Sequence, residues 1–224
     1  QNNKAASGHA LEQINKFKSL PPTLLYIDQI MNEGRLGIAE KRCREFLKKN
    51  PTHTYAMSQL AEIANRLGYF DDAETLLKKA VDFKPNDGEL RMKYAMVLRK
   101  KQKFSETMKQ VNILCEQFPN NITYQAQKGS ELMQNGEHEK AVDLFNDLIK
   151  INPYNFSSFT SRGHAQKTLG KTAEAIESYK SAYLIKPDHG EAFFSLSNLK
   201  TYTFSDDEIQ IIDSQLNRID LSLK

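Results

Sequence analysis

Few residues in this chain have the types and spacing that chemistry requires. Ala165–Thr172, which ends in Gly170, Lys171 and Thr172, would satisfy a loose phosphate-loop pattern. That loop works when a strand feeds a glycine-rich turn whose backbone amides face phosphate. Here Ala165–Leu169 fall inside an expected helix, so their amides are committed, and Gly170 reads as a turn. The five histidines (His9, His53, His138, His164, His189) show no ligand spacing with cysteines or carboxylates. No Ser-His-Asp or Cys-His arrangement is apparent. Asp71-Asp72 and Asp206-Asp207 could be paired carboxylates, but both suit helix starts, where negative charge meets the helix dipole. No catalytic and no metal-binding residues are therefore expected. Arg99, Lys100, Lys101 and Lys103 form the densest basic cluster, read as a solvated turn, with an acidic partner as the alternative.

Composition narrows the classes further. The 31 basic and 28 acidic residues leave a formal charge of +3, too balanced to imply a nucleic-acid or membrane surface. No apolar run approaches the roughly 18 residues of a membrane span. The first ten residues (QNNKAASGHA) lack an apolar signal core. The chain begins with Gln1 rather than Met, which reads as a processed or recombinant start, and Gln1–His9 is left out of the fold argument. Cys43 and Cys115, in amphipathic segments, read as buried reduced thiols, which points to the cytoplasm.

The elements that must position any site are set by a repeat. Pro51, Pro85, Pro119, Pro153 and Pro187 stand 34 residues apart. A fixed period of this size indicates stacked units rather than one globular core. Between Thr54 and Asp87, Met57, Leu60, Ala61 and Ala64 mark one helical stripe, and Ala73, Leu76, Leu77, Ala80 and Val81 a second. Leu67-Gly68 supplies the turn between them, and Pro85 ends the second helix at Lys84. The turn glycine recurs as Gly34, Gly136 and Gly170, and the small residue at the helix crossing as Ala39, Ala73, Ala141 and Ala175. In the third unit Gln102 and Thr107 replace them, so that unit should be the least regular.

These features resemble the tetratricopeptide repeat (TPR), with two helices, small residues at fixed offsets and a closing proline in 34 residues. The resemblance implies an all-α fold, a right-handed α-solenoid of antiparallel helix pairs. Five repeats are expected, at 20–53, 54–87, 88–121, 122–155 and 156–189. The tryptophan near the start of a typical unit is replaced by Met57, Arg91, Gln125, Phe159 and Phe193, so first-helix packing should vary. Residues 1–19 are expected to hold a tail and a short capping helix with Leu11, Ile14 and Phe17. Residues 190–224 should hold a partial sixth repeat, with its helix over Gly190–Lys200, and a terminal capping helix. Ser205–Glu208 reads as a capping box with Phe204 and Ile209 as a hydrophobic staple, and Ile209, Ile212, Leu216 and Ile219 as the apolar face.

In that family the first helices line a concave groove. The resemblance implies a protein or peptide ligand there, and the balanced charge leads us to expect no nucleic-acid or membrane partner. The groove positions would be Tyr55, Ser58, Glu62 and Arg66, then Met92, Met96, Arg99 and Lys100. Ser130, Met133, His164, Lys167, Phe194 and Asn198 follow. Exposed methionines adapt to varied partners, and Arg and Lys hold carboxylates or sulfate-like groups. Met92 and Met96 could instead serve interhelix packing. The Lys/Asn clamp of chaperone-binding members is missing, since Leu24/Asp28, Ser58/Glu62 and Met92/Met96 occupy its places. The asparagine ladder of the nuclear glycosyltransferase group is also missing, with Asn65 and Asn198 isolated.

A narrower resemblance lies further along. GHAQKT at 163–168 and GEAFFSLSNLKTYTFSDDEI at 190–209 are similar to the last repeats of bacterial TPR-containing sulfotransferases. EGRLGIAEKRCREFLKKNPTH at 33–53 and LAEIANRLGYFDDAETLLKKAV at 60–81 resemble that family's opening. The resemblance implies a non-catalytic region ahead of a transferase domain that uses 3′-phosphoadenylyl sulfate. The phosphosulfate loop of that domain, similar to PRSGTT, does not occur in these 224 residues, so no cofactor is expected in them. The alternative is a stand-alone adaptor with no enzyme attached.

Overall fold

The computed structural model describes residues 18–217. Among them are twelve helices and no strand: α1 (Pro22–Asn32), α2 (Leu36–Lys49), α3 (Thr54–Arg66), α4 (Phe70–Phe83), α5 (Gly88–Lys100), α6 (Phe104–Gln117), α7 (Ile122–Gln134), α8 (His138–Ile151), α9 (Phe156–Thr168), α10 (Thr172–Ile185), α11 (Gly190–Ser197) and α12 (Asp206–Leu216). They fall into two compact units, divided between Gln110 and Val111. The segment with Leu11, Ile14 and Phe17, and the expected cap residue Ile219, lie outside the described residues.

The proline period acts at both ends of the connection it sits in. α2, α4, α8 and α10 each stop two residues before proline. Their cap residues, Asn50, Lys84, Asn152 and Lys186, share an extended φ of −133 to −135°. Steric conflict with the proline ring disfavours helical geometry there. Two residues after proline the next helix is capped. The side chains of His53, Asp87, Asn121 and Asn155 accept from the backbone N–H of Ala56, Leu90, Tyr124 and Ser158. Such caps each contribute about 1 kcal/mol. Arg91 and Gln125, at the place of the usual tryptophan, both reach back to the carbonyl of the preceding proline, at 2.7 Å to Pro85 and 3.1 Å to Pro119.

The turns inside each helix pair need a left-handed residue. Gly34, Gly68, Gly136 and Gly170 supply it with φ between +74 and +83°. Gln102 holds the same conformation at φ +58°, a strain of roughly 1–2 kcal/mol for a residue with a Cβ. Its partner in irregularity, Thr107, is fully buried and donates its hydroxyl back to Lys103 O at 3.0 Å. Ala39, Ala73, Ala141 and Ala175 are also fully buried.

In the first unit α1 packs on α2, α2 on α3, α3 on α4 and α4 on α5. Leu24, Ile27, Ile30, Cys43, Ala56 and Ile63 fill one core, and Met57, Ala61, Leu77, Tyr94 and Leu98 the next. In the second unit α7 packs on α8, α8 on α9, α9 on α10 and α10 on α11. A closer approach holds there. A Cβ placed on Gly129 would meet the Phe145 ring at 2.5 Å, and one on Gly163 the Tyr179 ring at 2.6 Å.

The end of the second unit departs from the expected pattern. The helix expected over Gly190–Lys200 stops at Ser197, and Lys200 takes φ +55°. The capping box is present: Ser205 Oγ accepts from Glu208 N at 3.3 Å, and Glu208 Oε2 accepts from Ser205 N at 2.9 Å. The apolar face differs from expectation. Ile209 and Leu216 are exposed, whereas Glu208 is buried and Ile211 packs on the core with Phe204 and Tyr202. Glu208 decides this orientation. It accepts from Tyr183 Oη at 2.7 Å and from Tyr202 Oη, with Lys180 Nζ 3.9 Å away. Burial alone would raise its pKa, but these donors hold it down at about 2.

Two outcomes follow from this packing. Gly129→Ala should lower stability by about 1–3 kcal/mol, the range for overpacking a core. Combining it with Phe145→Leu recreates the Ala61/Leu77 pair of the first unit, so the double variant should be more stable than additivity allows in urea denaturation. For Glu208 the folded pKa lies below the ordinary value of 4.5, so its contribution is complete above pH 4.5 and fades as pH falls toward 2. Glu208→Gln should lower Tm at pH 7 by roughly 5–10 °C. The gap between variant and parent should close between pH 4.5 and 2 in thermal melts.

Candidate functional site

The first-unit groove is built by residues that repeat every 34 positions on α1, α3 and α5. Asp28, Glu62 and Met96 share one register, and Gln59 and Lys93 another.

One cleft of about 180 Å³ lies between α3 and α5. Ala61, Leu77, Met92, Met96 and Val97 make it apolar, and Ser58, Glu62, Asn65, Lys93 and Lys100 edge it. Lys93 Nζ donates to Ser58 Oγ at 3.0 Å, and Lys100 Nζ to Asn65 Oδ1 at 2.8 Å. Lys100 also stands 5.6 Å from the centre of the Phe70 ring. Ser58 is only 2% exposed, so it holds Lys93 in place and presents nothing to solvent. Met92 and Met96 are partly exposed and line the cleft, which joins the two readings of them.

A second cleft lies beside it, lined by Asp28, Met31, Tyr55, Gln59, Glu62, Arg66 and Lys93. Tyr55 Oη donates to Asp28 Oδ2 at 2.7 Å, and Gln59 Nε2 donates to the other carboxylate oxygen. Burial raises the Asp28 pKa, opposed by the Tyr55 hydrogen bond and the Lys93 charge. Burial and the Asp28 bond push the Tyr55 phenol up. Arg66 pairs with Glu62 at 2.9 Å and donates to Met31 O at 3.2 Å.

The basic cluster at the α5–α6 turn divides in two. Lys101 and Lys103 turn to α4, where Glu74 receives Lys101 at 2.5 Å and Lys103 at 2.7 Å, and Asp71 receives Lys101. Burial would raise the Glu74 pKa, yet the two lysines hold it below its ordinary value. Lys100 alone of the cluster lines the groove cleft, and Arg99 lines neither cleft.

His164 is wired on both sides, Nδ1 to Tyr179 Oη at 3.0 Å and Nε2 to Glu191 Oε1 at 3.2 Å. His189 Nε2 lies 2.9 Å from Thr160 Oγ1, and burial lowers its pKa. Ser130 donates back to Ala126 O at 3.2 Å. Met133 is half-buried, while Lys167, Phe194 and Asn198 are exposed. The Tyr179 hydroxyl is buried and its pKa is pushed up to about 12, which suits a structural donor and not a nucleophile. Among the described residues no group of three or more His, Cys, Asp or Glu could hold a metal ion. No helix among them is long and apolar enough to cross a membrane.

The sequence reading missed Gln59 and Lys93 as groove residues, and used Asp28 only to reject a clamp. The signal was available: each lies one 34-residue step from a position named as groove-lining or bordering one.

Comparison with known proteins places these features. Tetratricopeptide-repeat family matches cover residues 31–88, 122–155 and 156–189. A probable UDP-N-acetylglucosamine–peptide N-acetylglucosaminyltransferase SPINDLY of Arabidopsis thaliana is 29% identical over 101 residues, 45% of this chain and 11% of its own. Tetratricopeptide repeat-containing protein trd-1 of Caenorhabditis elegans is 24% identical over 132 residues, 59% of this chain and 16% of its own. The chain thus spans less than a fifth of the length of these relatives. Among solved structures, YrrB, described as a TPR protein with an unusual peptide-binding site, superposes with a TM-score of 0.64 at 18% identity. That match covers 83% of this chain and 96% of YrrB. MamA from Desulfovibrio magneticus RS-1 gives 0.67 at 13% identity, covering 75% and 94%. The period, the left-handed turns, the buried crossing alanines and these matches agree that the chain belongs to the tetratricopeptide-repeat family.

Proposed function

We propose that this chain is the partner-binding region of a bacterial sulfotransferase, holding a protein or peptide substrate in its first-helix groove. The transferase domain would lie elsewhere in the same polypeptide and would hold 3′-phosphoadenylyl sulfate. Residues 1–224 would bind and present, and carry out no chemistry. The observation that carries the reading is the stretch 190–209, which is similar to the junction of that enzyme family and departs from a generic repeat. Its departure has structural content: a short α11, a left-handed Lys200 and the Glu208-centred capping box. Relatives named as transferases, SPINDLY and the human protein O-mannosyl-transferase TMTC1, also match this chain over only part of their length. They are precedents for such repeats within longer transferases. Binding is supported separately by the partly exposed methionines and the polar edges of the first-unit clefts. The free buried thiols Cys43 and Cys115 suit a reducing compartment such as the cytoplasm.

Two measurements test the two parts. The reading frame around these residues should encode a phosphosulfate loop, and its full product should move sulfate from 3′-phosphoadenylyl sulfate to a polypeptide. A frame without that loop would sink the sulfotransferase assignment. Replacing Met96, Arg99 and Lys100 together by Ala should abolish partner capture with the circular dichroism unchanged. Undiminished capture would place the partner on another face.

A further inference from the structure

We infer that the cleft between α3 and α5 recognises an acidic segment of a partner protein, with one aliphatic or thioether side chain inserted between Met92 and Met96. This rests on the groove-binding reading and adds the chemistry of what is bound.

The size of the cleft limits the occupant. At about 180 Å³ it falls below the roughly 300–1,000 Å³ of small-molecule sites, and it suits a single side chain. Its floor of Ala61, Leu77 and Val97 is apolar and buried, so the inserted group must be apolar too. The two methionines adjust to branched or unbranched shapes.

The charge at the edges sets the flanking residues. Lys93 and Lys100 lie two helical turns apart on α5, one toward each end of the cleft. Each is exposed and donates to a neutral acceptor, Ser58 or Asn65. Among the described residues neither forms an ion pair within 4.0 Å, whereas Lys101 is paired with Glu74 and Asp71, and Lys103 with Glu74. Glu62, the carboxylate on the rim, is already paired with Arg66. An ammonium with spare donors gains most from a carboxylate. Acidic residues before and after an apolar side chain would meet both lysines, while a basic segment would be repelled by them.

Fluorescence anisotropy on the full chain tests this with short labelled peptides. The probe has a central Leu flanked by Glu on both sides. One control replaces Leu by Ser, and another replaces every Glu by Lys. The acidic Leu peptide should bind about tenfold or more tightly than either control, and should weaken as salt is added. The variant Lys93→Glu/Lys100→Glu should lose at least about tenfold in affinity with unchanged helicity. Equal binding of either control, or no effect of the charge reversal, would overturn the inference. A random peptide library selected on the same protein separates the two levels. Enriched basic or neutral peptides that the Met96/Arg99/Lys100 variant no longer binds would leave groove binding standing and end this proposal. A library with no binder at all would end both.

Discussion

Everything in each unit depends on how closely two short helices of a pair can approach. The helices have 8 to 14 residues, near or below the length that holds helical structure alone in water. Their order comes from packing, and the tightest packing is one residue of the first helix against one sixteen places later. The contact is Gly129 against Phe145 and Gly163 against Tyr179, and the same register pairs Ala61 with Leu77 and Ile27 with Cys43. Where one partner grows, the other shrinks. A core packed at crystal-like density tolerates exchange of volume between partners, but little change in their sum. The groove inherits this constraint, because the helix separation decides where positions such as Glu62 and His164 emerge.

This exchange explains what the sequence does and does not make legible. Pro85, Gly68 and Ala73 act through their own backbone or their own small size, so a 34-residue period exposes them directly. Gly129 and Gly163 act through a partner, and their positions hold Ile27, Ala61 and Ala95 in other units. No single-residue rule finds such a pair, although the compensating partner stands at a fixed interval. The fold class and the turns were therefore legible, and the close contacts were not. Gln102 was legible as an irregularity, but its left-handed backbone follows from the turn its neighbours impose.

The groove was legible as a set of positions and much less as chemistry. Sequence gives the face a residue occupies, but a long charged side chain chooses among several partners. Four basic residues within five positions appear equivalent in a string. In space Lys101 and Lys103 are spent on Glu74 and Asp71, which stabilise the turn. Ser58 shows the opposite error: a polar residue on the groove side is closed off because Lys93 covers it. Asp28 is held by Tyr55 and Gln59 from the next first helix, so a carboxylate that could have faced a ligand instead ties α1 to α3.

The end of the repeat shows why a capping element is more than a truncated unit. A further regular helix pair would bury an apolar stripe, and Ile209, Ile212 and Leu216 offer one by spacing alone. The helix turns otherwise, because Glu208 finds two phenols, a backbone amide and a nearby ammonium together. A buried carboxylate with several good donors is strongly held, and one turned toward Leu196 and Phe193 without them would be very costly. The polar residue therefore sets the rotation of α12, and Ile209 and Leu216 are left outside as a consequence. Hydrophobic spacing predicts a helix there correctly, and satisfaction of one charge decides which face it buries.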